Sequence, residues 1–252
     1  MKKSLIALFA LAGISTGATC VTSIDELDQS KIASYFNFDT GNTKSSGSES
    51  TTWYERCLWN EEGYATATNT DGSYCMYSTS LGMSAIDGFT VSFDVNSFSS
   101  GTILSVLSNG ASNASAAWRT IRLTTDEDGS LNLHWCAQSF DTGITSDMLD
   151  WTTLTIVCET NTATVVSLYV DGVFNNSISI DNPANFKSEG VTKAQMGWFG
   201  TSSNSATSTI DNVLFYKEAL SATEVAALIV PEPATASLSL LGLAALMIRR
   251  RR

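Results

Sequence analysis

The chain has one histidine, His134, so any catalysis that relies on an imidazole base has to use it. A Ser-His-Asp or Cys-His arrangement needs that base beside a nucleophile, and no Gly-x-Ser-x-Gly turn occurs beyond residue 18. His134 lies in a strand-like run, on the opposite side from Leu131 and Leu133. A hydrogen-bonded or exposed strand histidine is therefore the favoured interpretation, and we do not expect an enzyme.

Both ends of the chain carry targeting patterns. Lys2 and Lys3 precede a short apolar stretch and several small residues, which predicts a signal peptide over residues 1–18. At the other end, the apolar run 234–248 is followed by a basic cluster, Arg249, Arg250, Arg251 and Arg252. As a helix this run spans roughly 22 Å, less than the apolar core of a bilayer (~30 Å). The arginines favour the cytoplasmic side, so we expect transient insertion in the inner membrane.

Residues 230–252 resemble the PEP-CTERM sorting signal of Gram-negative bacteria. Pro231, Glu232 and Pro233 match its motif, the run 234–248 its helix, and the four arginines its basic end. The resemblance implies that a membrane-bound exosortase cuts near Pro-Glu-Pro and releases the protein or attaches it to the cell surface. The implied location is the cell surface, the outer envelope or the exterior. An ordinary C-terminal tail anchor is the alternative interpretation.

The part between these ends is strongly acidic. Six of the 14 basic residues and one of the 25 acidic residues lie in the two end segments, so the middle has a net charge of −16. Nucleic acids and anionic lipid surfaces attract positive charge, and the composition therefore argues against both as partners. Residues 19–30 form a short lead, and residues 31–229 are long enough for one domain.

The cysteines favour disulfides over metal binding. No Cys-x-x-Cys spacing occurs, and an exported chain folds in an oxidising compartment. Cys136 and Cys158 lie in strand-like runs on either side of a loop, and Cys57 with Cys75 is the other natural pair, which leaves Cys20 odd. Connectivity does not follow from sequence, so both pairs are candidates.

Short alternating segments dominate the middle of the chain. Phe89, Val91, Phe93 and Val95 alternate with polar residues, and an Asp-Gly turn at Gly129 joins two further alternating runs. Ser221 and Glu224 form a capping box that begins a short C-terminal helix. About a dozen strands, many turns and one helix predict an all-β, antiparallel two-sheet sandwich.

Four segments resemble laminin G-like domains of the concanavalin A-like jelly-roll class. They are Ser34-Tyr-Phe-Asn-Phe-Asp39, Gly88-Phe-Thr-Val-Ser-Phe93, the pair 151–156 and 167–172, and the closing segment 210–224. The resemblance implies a two-sheet jelly roll over residues 31–229. It also implies a structural calcium ion between the first and last strands, with Asp39 and Asp211 as its ligands.

Binding is the function that these features favour. Exposed aromatic rings beside polar groups suit carbohydrate, and Trp198 and Phe199 are the first candidates, although strand aromatics are more often core. Jelly-roll hydrolases need two carboxylates on one face, and the only Glu-x-Asp sequence, at Glu26, lies in the lead. We therefore expect a non-catalytic adhesion module that binds a glycan, matrix polysaccharide or surface protein. A structural matrix protein without a discrete ligand is the alternative, and a glycan-degrading enzyme the less favoured one.

Overall fold

The structure is a computed structural model, and it describes the following residues of the chain: 24, 27–36, 38, 52–53, 57–59, 64–67, 76–77, 87–108, 120–135, 138–160, 163–180, 191–196 and 206–229. Within these residues no helix has the length and apolar composition that a bilayer crossing requires. The predicted signal peptide and the predicted sorting signal both lie outside the described residues.

Fifteen strands and one α-helix make up the described part. In chain order the strands are β1 (Ile32–Phe36), β2 (Thr52–Trp53), β3 (Cys57–Trp59), β4 (Ala65–Ala67), β5 (Met76–Tyr77), β6 (Gly88–Phe98), β7 (Gly101–Ser108), β8 (Thr120–Thr125), β9 (Ser130–Trp135), β10 (Gln138–Thr145), β11 (Thr152–Glu159), β12 (Thr164–Val170), β13 (Val173–Ile180), β14 (Val191–Met196) and β15 (Ser208–Tyr216). Helix α1 is Ala222–Leu228, and 3₁₀ turns cover Gln29–Lys31 and Ser146–Met148.

The strands form two antiparallel sheets, as the sequence predicts. Sheet 1 has the order β13-β12-β11-β6-β15-β4-β3, with β1 also pairing with β15. Sheet 2 has the order β10-β9-β8-β7-β14-β5-β2. Neighbours in each sheet often lie far apart in sequence, as in the pairing of β15 with β6, which is the mark of a jelly roll rather than a simple meander.

The main core lies between the two sheets. The predicted alternation in β6 is confirmed, because Phe89, Val91, Phe93 and Val95 are all completely buried there. Leu131 and Leu133 of β9 face them from sheet 2. Burying one such side chain contributes about 1.5–3 kcal/mol. The repeated inward placement therefore fixes which residues of each strand are left on the outer faces.

A second, smaller cluster lies on the outer face of sheet 1, which is the face directed away from sheet 2. Helix α1 buries Val225 and Ala227 toward this face, where Val157, Tyr169, Leu214 and Tyr216 join the cluster. The predicted capping box is confirmed: Ser221 Oγ accepts the Glu224 N–H at 3.3 Å, and Glu224 Oε2 accepts the Ser221 N–H at 2.7 Å. The helix covers one part of the outer face and leaves the rest open.

Two strands escape the sequence patterns. β10 carries Asp141 and Gly143, which read as turn residues, yet it forms the edge of sheet 2. β14 has the sequence Val-Thr-Lys-Ala-Gln-Met, whose alternation is weak, and it lies between β7 and β5. Pairing with the distant strands β7 and β5 decides β14, and such pairing leaves little local signal. β10 pairs instead with β9, the strand just before it in the chain, and its register shifts between Asp141 and Thr145.

Candidate functional site

Most residues that the sequence singles out lie outside the described part. This holds for Asp39, Trp198, Phe199, Cys75, Cys136 and the sorting motif Pro231, Glu232, Pro233, Arg249, Arg250, Arg251 and Arg252. Cys57 is described only through the backbone of β3. Asp211 and Cys158 are described together with their surroundings, so the site is built from the structure around Asp211.

Cys158 is a free thiol that lies wholly inside the main core. It belongs to β11, where it pairs in register with Phe89 on one side and Val166 on the other. Burial raises the pKa of this thiol because a thiolate is poorly solvated there, and the charge of Glu159 acts in the same direction. The structure therefore does not show the disulfide predicted between Cys136 and Cys158. The disulfide predicted between Cys57 and Cys75 stays a prediction, because Cys75 lies outside the described residues.

Asp211 lies on β15 directly opposite Asp94 of β6. The register between these strands shifts between Asp211 and Leu214, so the chain forms an irregularity of the β-bulge type there. Asn212, inside this bulge, has a left-handed backbone with φ of 49°, a conformation that Asn tolerates better than most residues. Its N–H donates to Asp211 Oδ1 at 2.7 Å. The bulge therefore places two polar residues beside Asp94.

Asp94 is the acceptor that joins three strands. The Asn212 side-chain amide donates to Asp94 Oδ2 at 2.8 Å, and the Thr153 hydroxyl donates to Asp94 Oδ1 at 2.5 Å. Asn212 Oδ1 in turn accepts the Tyr35 hydroxyl at 2.9 Å. Because Phe93 and Val95 point into the core, these groups lie on the outer face of sheet 1. The network leaves carboxylate and amide oxygens together on a partly exposed surface.

The described residues do not by themselves form a calcium site. Each oxygen of Asp94 already accepts a side-chain donor, and Asp211 accepts the N–H of its neighbour. Nowhere in the described ranges do three or more His, Cys, Asp or Glu residues group closely enough to hold a metal ion. Calcium prefers six to eight oxygen ligands. The predicted ion therefore depends on Asp39, which lies outside the described residues.

An aromatic pair lies at the same end of sheet 1. The ring centroids of Trp151 and Tyr64 are 5.5 Å apart at an angle of 58°, and Trp151 is 40% exposed. Trp151 precedes β11 and Tyr64 precedes β4, and the order of the sheet places β6 and β15 between those two strands. The ring contact therefore reaches across the strands that carry Asp94 and Asp211.

The backbone of Trp151 is unusual. Its φ is 55°, and a bulky side chain in this region costs about 1–2 kcal/mol relative to an ordinary conformation. Three described non-glycine residues have positive φ, and they all surround Thr153 and Asp94: Trp151, Asp171 and Asn212. Asp171 Oδ1 accepts the Thr153 N–H at 2.8 Å, while its own N–H donates to Thr153 O at 2.9 Å. Such clustering is frequent at functional sites.

Helix α1 supports this end of the sheet. A Cβ atom at Gly172 would lie 2.9 Å from the Cα atom of Ala226, so the turn that carries Asp171 packs directly on the helix backbone. The turn, the helix and the start of β11 therefore hold one another in place. We refer to the residues Tyr64, Asp94, Trp151, Thr153, Asp211 and Asn212 as the Trp151 site.

His134 lies on the other sheet and has a different environment. Its Nε2 is 2.7 Å from the Thr124 hydroxyl, and Arg122 is its cross-strand neighbour. Burial lowers the pKa of His134, Arg122 lowers it further, and Asp126 opposes both. Burial also lowers the pKa of Arg122. The surroundings agree with the hydrogen-bonded strand histidine that the sequence favours.

The fold and the site define a class of protein: a two-sheet jelly roll with an aromatic and polar site on one outer face. The chain belongs to the concanavalin A-like lectin/glucanase superfamily, whose Laminin_G_3 family model matches residues 63–226. That match covers more than half of the chain. No curated protein matches the sequence.

Several solved structures share this fold at low sequence identity. The binding domain of Paraclostridial mosquitocidal protein 1 has a TM-score of 0.59 at 14% identity, over 80% of this chain and 52% of that chain. Trypanosoma rangeli sialidase has a TM-score of 0.58 at 14% identity, over 79% of this chain and 32% of that chain. The third structure is domain 4 of AbnA, an extracellular arabinanase from Geobacillus stearothermophilus, in complex with arabinotriose. It has a TM-score of 0.50 at 16% identity, over 80% of this chain and 100% of that chain.

The receptor-binding domain of botulinum neurotoxin type G has a TM-score of 0.52 at 16% identity, with 78% of this chain and 50% of that chain covered. This chain therefore spans about half the length of that domain and of the mosquitocidal binding domain. These likenesses establish the fold. They include binding domains and a sialidase, so the fold alone does not select a function.

Sequence reasoning found part of the Trp151 site. Asp211 was predicted as a calcium ligand, whereas Trp151 appeared in the sequence analysis only as the first residue of the segment 151–156. Trp135, another strand tryptophan, is buried in the core. One feature of the sequence could have indicated Trp151. It lies just before the first residue of β11, where a side chain need not follow the alternation between the core and the outer face.

Proposed function

We propose that this chain is an exported, non-catalytic glycan-binding module of the bacterial surface or extracellular matrix, and that the Trp151 site is its binding surface. The observation that carries the proposal is the exposed indole of Trp151, held in a left-handed backbone against Tyr64 and next to the Asp94 network. An aromatic face packs against the C–H face of a sugar ring, and carboxylates accept its hydroxyls.

The exposure of Trp151 argues against a purely structural role. A tryptophan that stabilises a fold normally hides its ring, whereas this one is 40% exposed and carries backbone strain. Two hydrogen bonds fix Thr153, two residues further along the chain, to Asp171. Retaining strain at an exposed ring is understandable if the ring contacts a ligand.

The polar groups beside the ring retain capacity for a ligand. A carboxylate offers about four acceptor positions. Asp94 receives one side-chain donor on each oxygen, from Thr153 and Asn212, so further acceptor positions remain. Sugar hydroxyls donate to such oxygens, and the existing hydrogen bonds keep the carboxylate in a fixed orientation. This arrangement supplies direction, while the aromatic pair supplies contact area.

The structural neighbours support this choice of ligand without establishing it. One of them, domain 4 of AbnA, is described in complex with arabinotriose, and the mosquitocidal and botulinum neighbours are binding domains. The sialidase neighbour keeps a glycan-degrading alternative open to experiment. Turnover of a bound oligosaccharide by the purified protein would contradict the non-catalytic part of the proposal.

A glycan array followed by calorimetry on the purified protein tests the binding. We expect a saturable hit whose affinity falls at least about ten-fold in Trp151→Ala. Phe174→Ala is the matched control, because Phe174 is another exposed aromatic of sheet 1, 54% exposed, outside the Trp151 site. Equal loss in both variants, or no loss in Trp151→Ala, would contradict the proposed surface. Absence of any glycan hit would favour the structural matrix hypothesis.

We also propose that an exosortase delivers the protein to the surface by cutting near Pro231, Glu232 and Pro233. Mass spectrometry of the protein from a host with and without exosortase tests this step. The expected mature form begins near Thr19 and ends near the motif, and replacing the four terminal arginines by glutamine should abolish the cut. An unchanged C-terminus in the exosortase host would refute the processing.

A further inference from the structure

We infer that the Trp151 site selects uncharged glycans and rejects acidic ones such as uronic or sialic acids. This inference rests on the proposed function and adds the charge class of the ligand. It follows from the signs and positions of the charges around the exposed indole, taken together with the hydrogen-bonding capacity of the same groups.

Several acidic residues lie on the strands and turns next to Trp151. Asp94 and Asp211 face each other across β6 and β15, and Asp94 holds the Thr153 hydroxyl. Asp150 is the residue before Trp151, and Asp171 is bonded to Thr153 through two hydrogen bonds; both are exposed. A ligand that rests on the indole therefore lies near several negative charges that belong to different elements of the fold.

The described cations of sheet 1 lie at its other end. Lys217 follows Tyr216, which pairs with Thr90, and Thr90 is four residues before Asp94 in β6. At about 3.3 Å per residue this separation is roughly 13 Å or more. Lys31 accompanies Lys217 there, because the Lys217 N–H donates to Lys31 O, and the Lys31 ammonium is 2.7 Å from Glu218. Screening at physiological salt acts over about 8 Å, so neither lysine offsets the field at the indole.

The other two described cations lie on sheet 2. Arg122 is flanked in β8 by Ile121 and Leu123, both completely buried, so its side chain points away from sheet 1. Lys193 lies on β14 of the same sheet. The two sheets of such a sandwich pack about 10 Å apart, so the core lies between the strands that carry these two residues and the Trp151 site. Among the described residues, no cation is therefore positioned to pair with an acidic ligand there.

Hydrogen bonding acts in the same direction as charge. Asp94 and Asp211 are acceptors when ionised, so they bind groups that donate. A neutral sugar presents hydroxyl donors around its ring, whereas a sugar carboxylate replaces a donor by an acceptor. A carboxylate at this position would lose a hydrogen bond and meet like charge, and like-charge contacts strongly disfavour a partner.

The experiment compares one neutral oligosaccharide with its own acidic derivative. The best neutral hit from the array is oxidised at C6 to the uronic acid, so linkage and length stay the same. We expect binding of the oxidised form to be at least about ten-fold weaker at low salt, with the gap narrowing as salt is raised. The double variant Asp150→Asn/Asp171→Asn should also narrow this difference in affinity, because it removes two negative charges. Asparagine is chosen because it keeps the oxygen acceptor at position 171 and tolerates the positive φ there.

The control and the opposite outcomes are equally specific. Asp128→Asn removes one exposed charge at the β8–β9 turn of sheet 2 and should leave the gap unchanged. Equal or tighter binding of the oxidised form, lost on Trp151→Ala, overturns the charge selectivity while leaving the proposed function intact. Binding of no glycan, or binding that ignores Trp151→Ala, overturns the proposed function and this inference together.

Discussion

The side-chain amide of Asn212 donates to the Asp94 carboxylate at 2.8 Å, although the two residues are 118 positions apart in the chain. The same Asn212 accepts the hydroxyl of Tyr35, so one residue with φ of 49° ties β15 to two of the strands that pair with it, β6 and β1. This contact stabilises the bulge of β15 and orients the Asp94 carboxylate on the outer face of sheet 1.

Replacing Asn212 tests the contribution of its hydrogen bond to Asp94. Asn212→Gly keeps the permitted backbone and removes the amide, so we expect a loss of about 1–3 kcal/mol in the free energy of unfolding, since a hydrogen bond to a charged group is lost. Asn212→Asp should cost more, because it places a second carboxylate against Asp94. Tyr35→Phe removes one neutral donor and should cost about 0.5–1.5 kcal/mol. Urea unfolding measures all three, and equal stability of Asn212→Asp and the parent would refute the contact.

Two glycines with nearly equal φ separate backbone strain from packing. Gly172 has φ of 74° and a Cβ there would lie 2.9 Å from the Ala226 Cα, whereas Gly143 has φ of 73° and nothing within 4 Å. Alanine at either position is strained in the left-handed backbone conformation, which lowers the free energy of unfolding by about 1–2 kcal/mol. Gly172→Ala should lose more stability than Gly143→Ala, because helix α1 must also move. Thermal unfolding of the pair checks this, and equal losses would show that the helix yields freely.

His134 should make the fold sensitive to mild acid. Its pKa in the folded state lies below the ordinary 6.5 of the unfolded chain, chiefly through burial and then through Arg122. The unfolded state therefore binds more protons below pH 6.5, and stability falls as the pH decreases from there to the folded pKa. His134→Gln should flatten the dependence between pH 7.5 and 5.5. Unfolding midpoints across this range test it; an unchanged slope in the variant would contradict the assignment.

Cys158 should be inert in the folded protein. Its thiol is completely buried and burial raises its pKa, so little thiolate exists and no reagent reaches it. A maleimide added to the native protein should leave Cys158 unlabelled, and labelling should appear only in denaturant. Peptide mass spectrometry gives the result without confusion from the other cysteines. Rapid native labelling, or recovery of a peptide disulfide-linked to Cys136, would show a different environment.

The calcium ion predicted between Asp39 and Asp211 is testable by its removal. EDTA should lower the unfolding midpoint and excess Ca²⁺ should restore it, because an ion that binds only the folded state stabilises it by mass action. Asp39→Asn should abolish the response, with Asp128→Asn as a control of equal charge change. An unfolding midpoint that does not respond to EDTA would contradict the predicted calcium ion.

The relation between sequence and structure differs between the core and the site. The alternation of Phe89, Val91, Phe93 and Val95 and the capping box at Ser221 were readable because each depends on residues within a few positions. The same local reasoning missed β10, whose Asp141 and Gly143 look like a turn, and the central position of β14. Local pattern was therefore sufficient for the two-sheet sandwich but not for every strand within it.

The sequence alone determined the class of fold and the acidic composition, because these depend on residue content and short-range periodicity. The targeting patterns at the two ends stay predictions. Only the tertiary structure decided that Trp151 meets Tyr64 and that Asn212 meets Asp94. Those contacts are set by the order and register of strands that are distant in sequence. Long-range register is fixed by the packing of the whole core, so no local pattern announces which outward-facing side chains become neighbours.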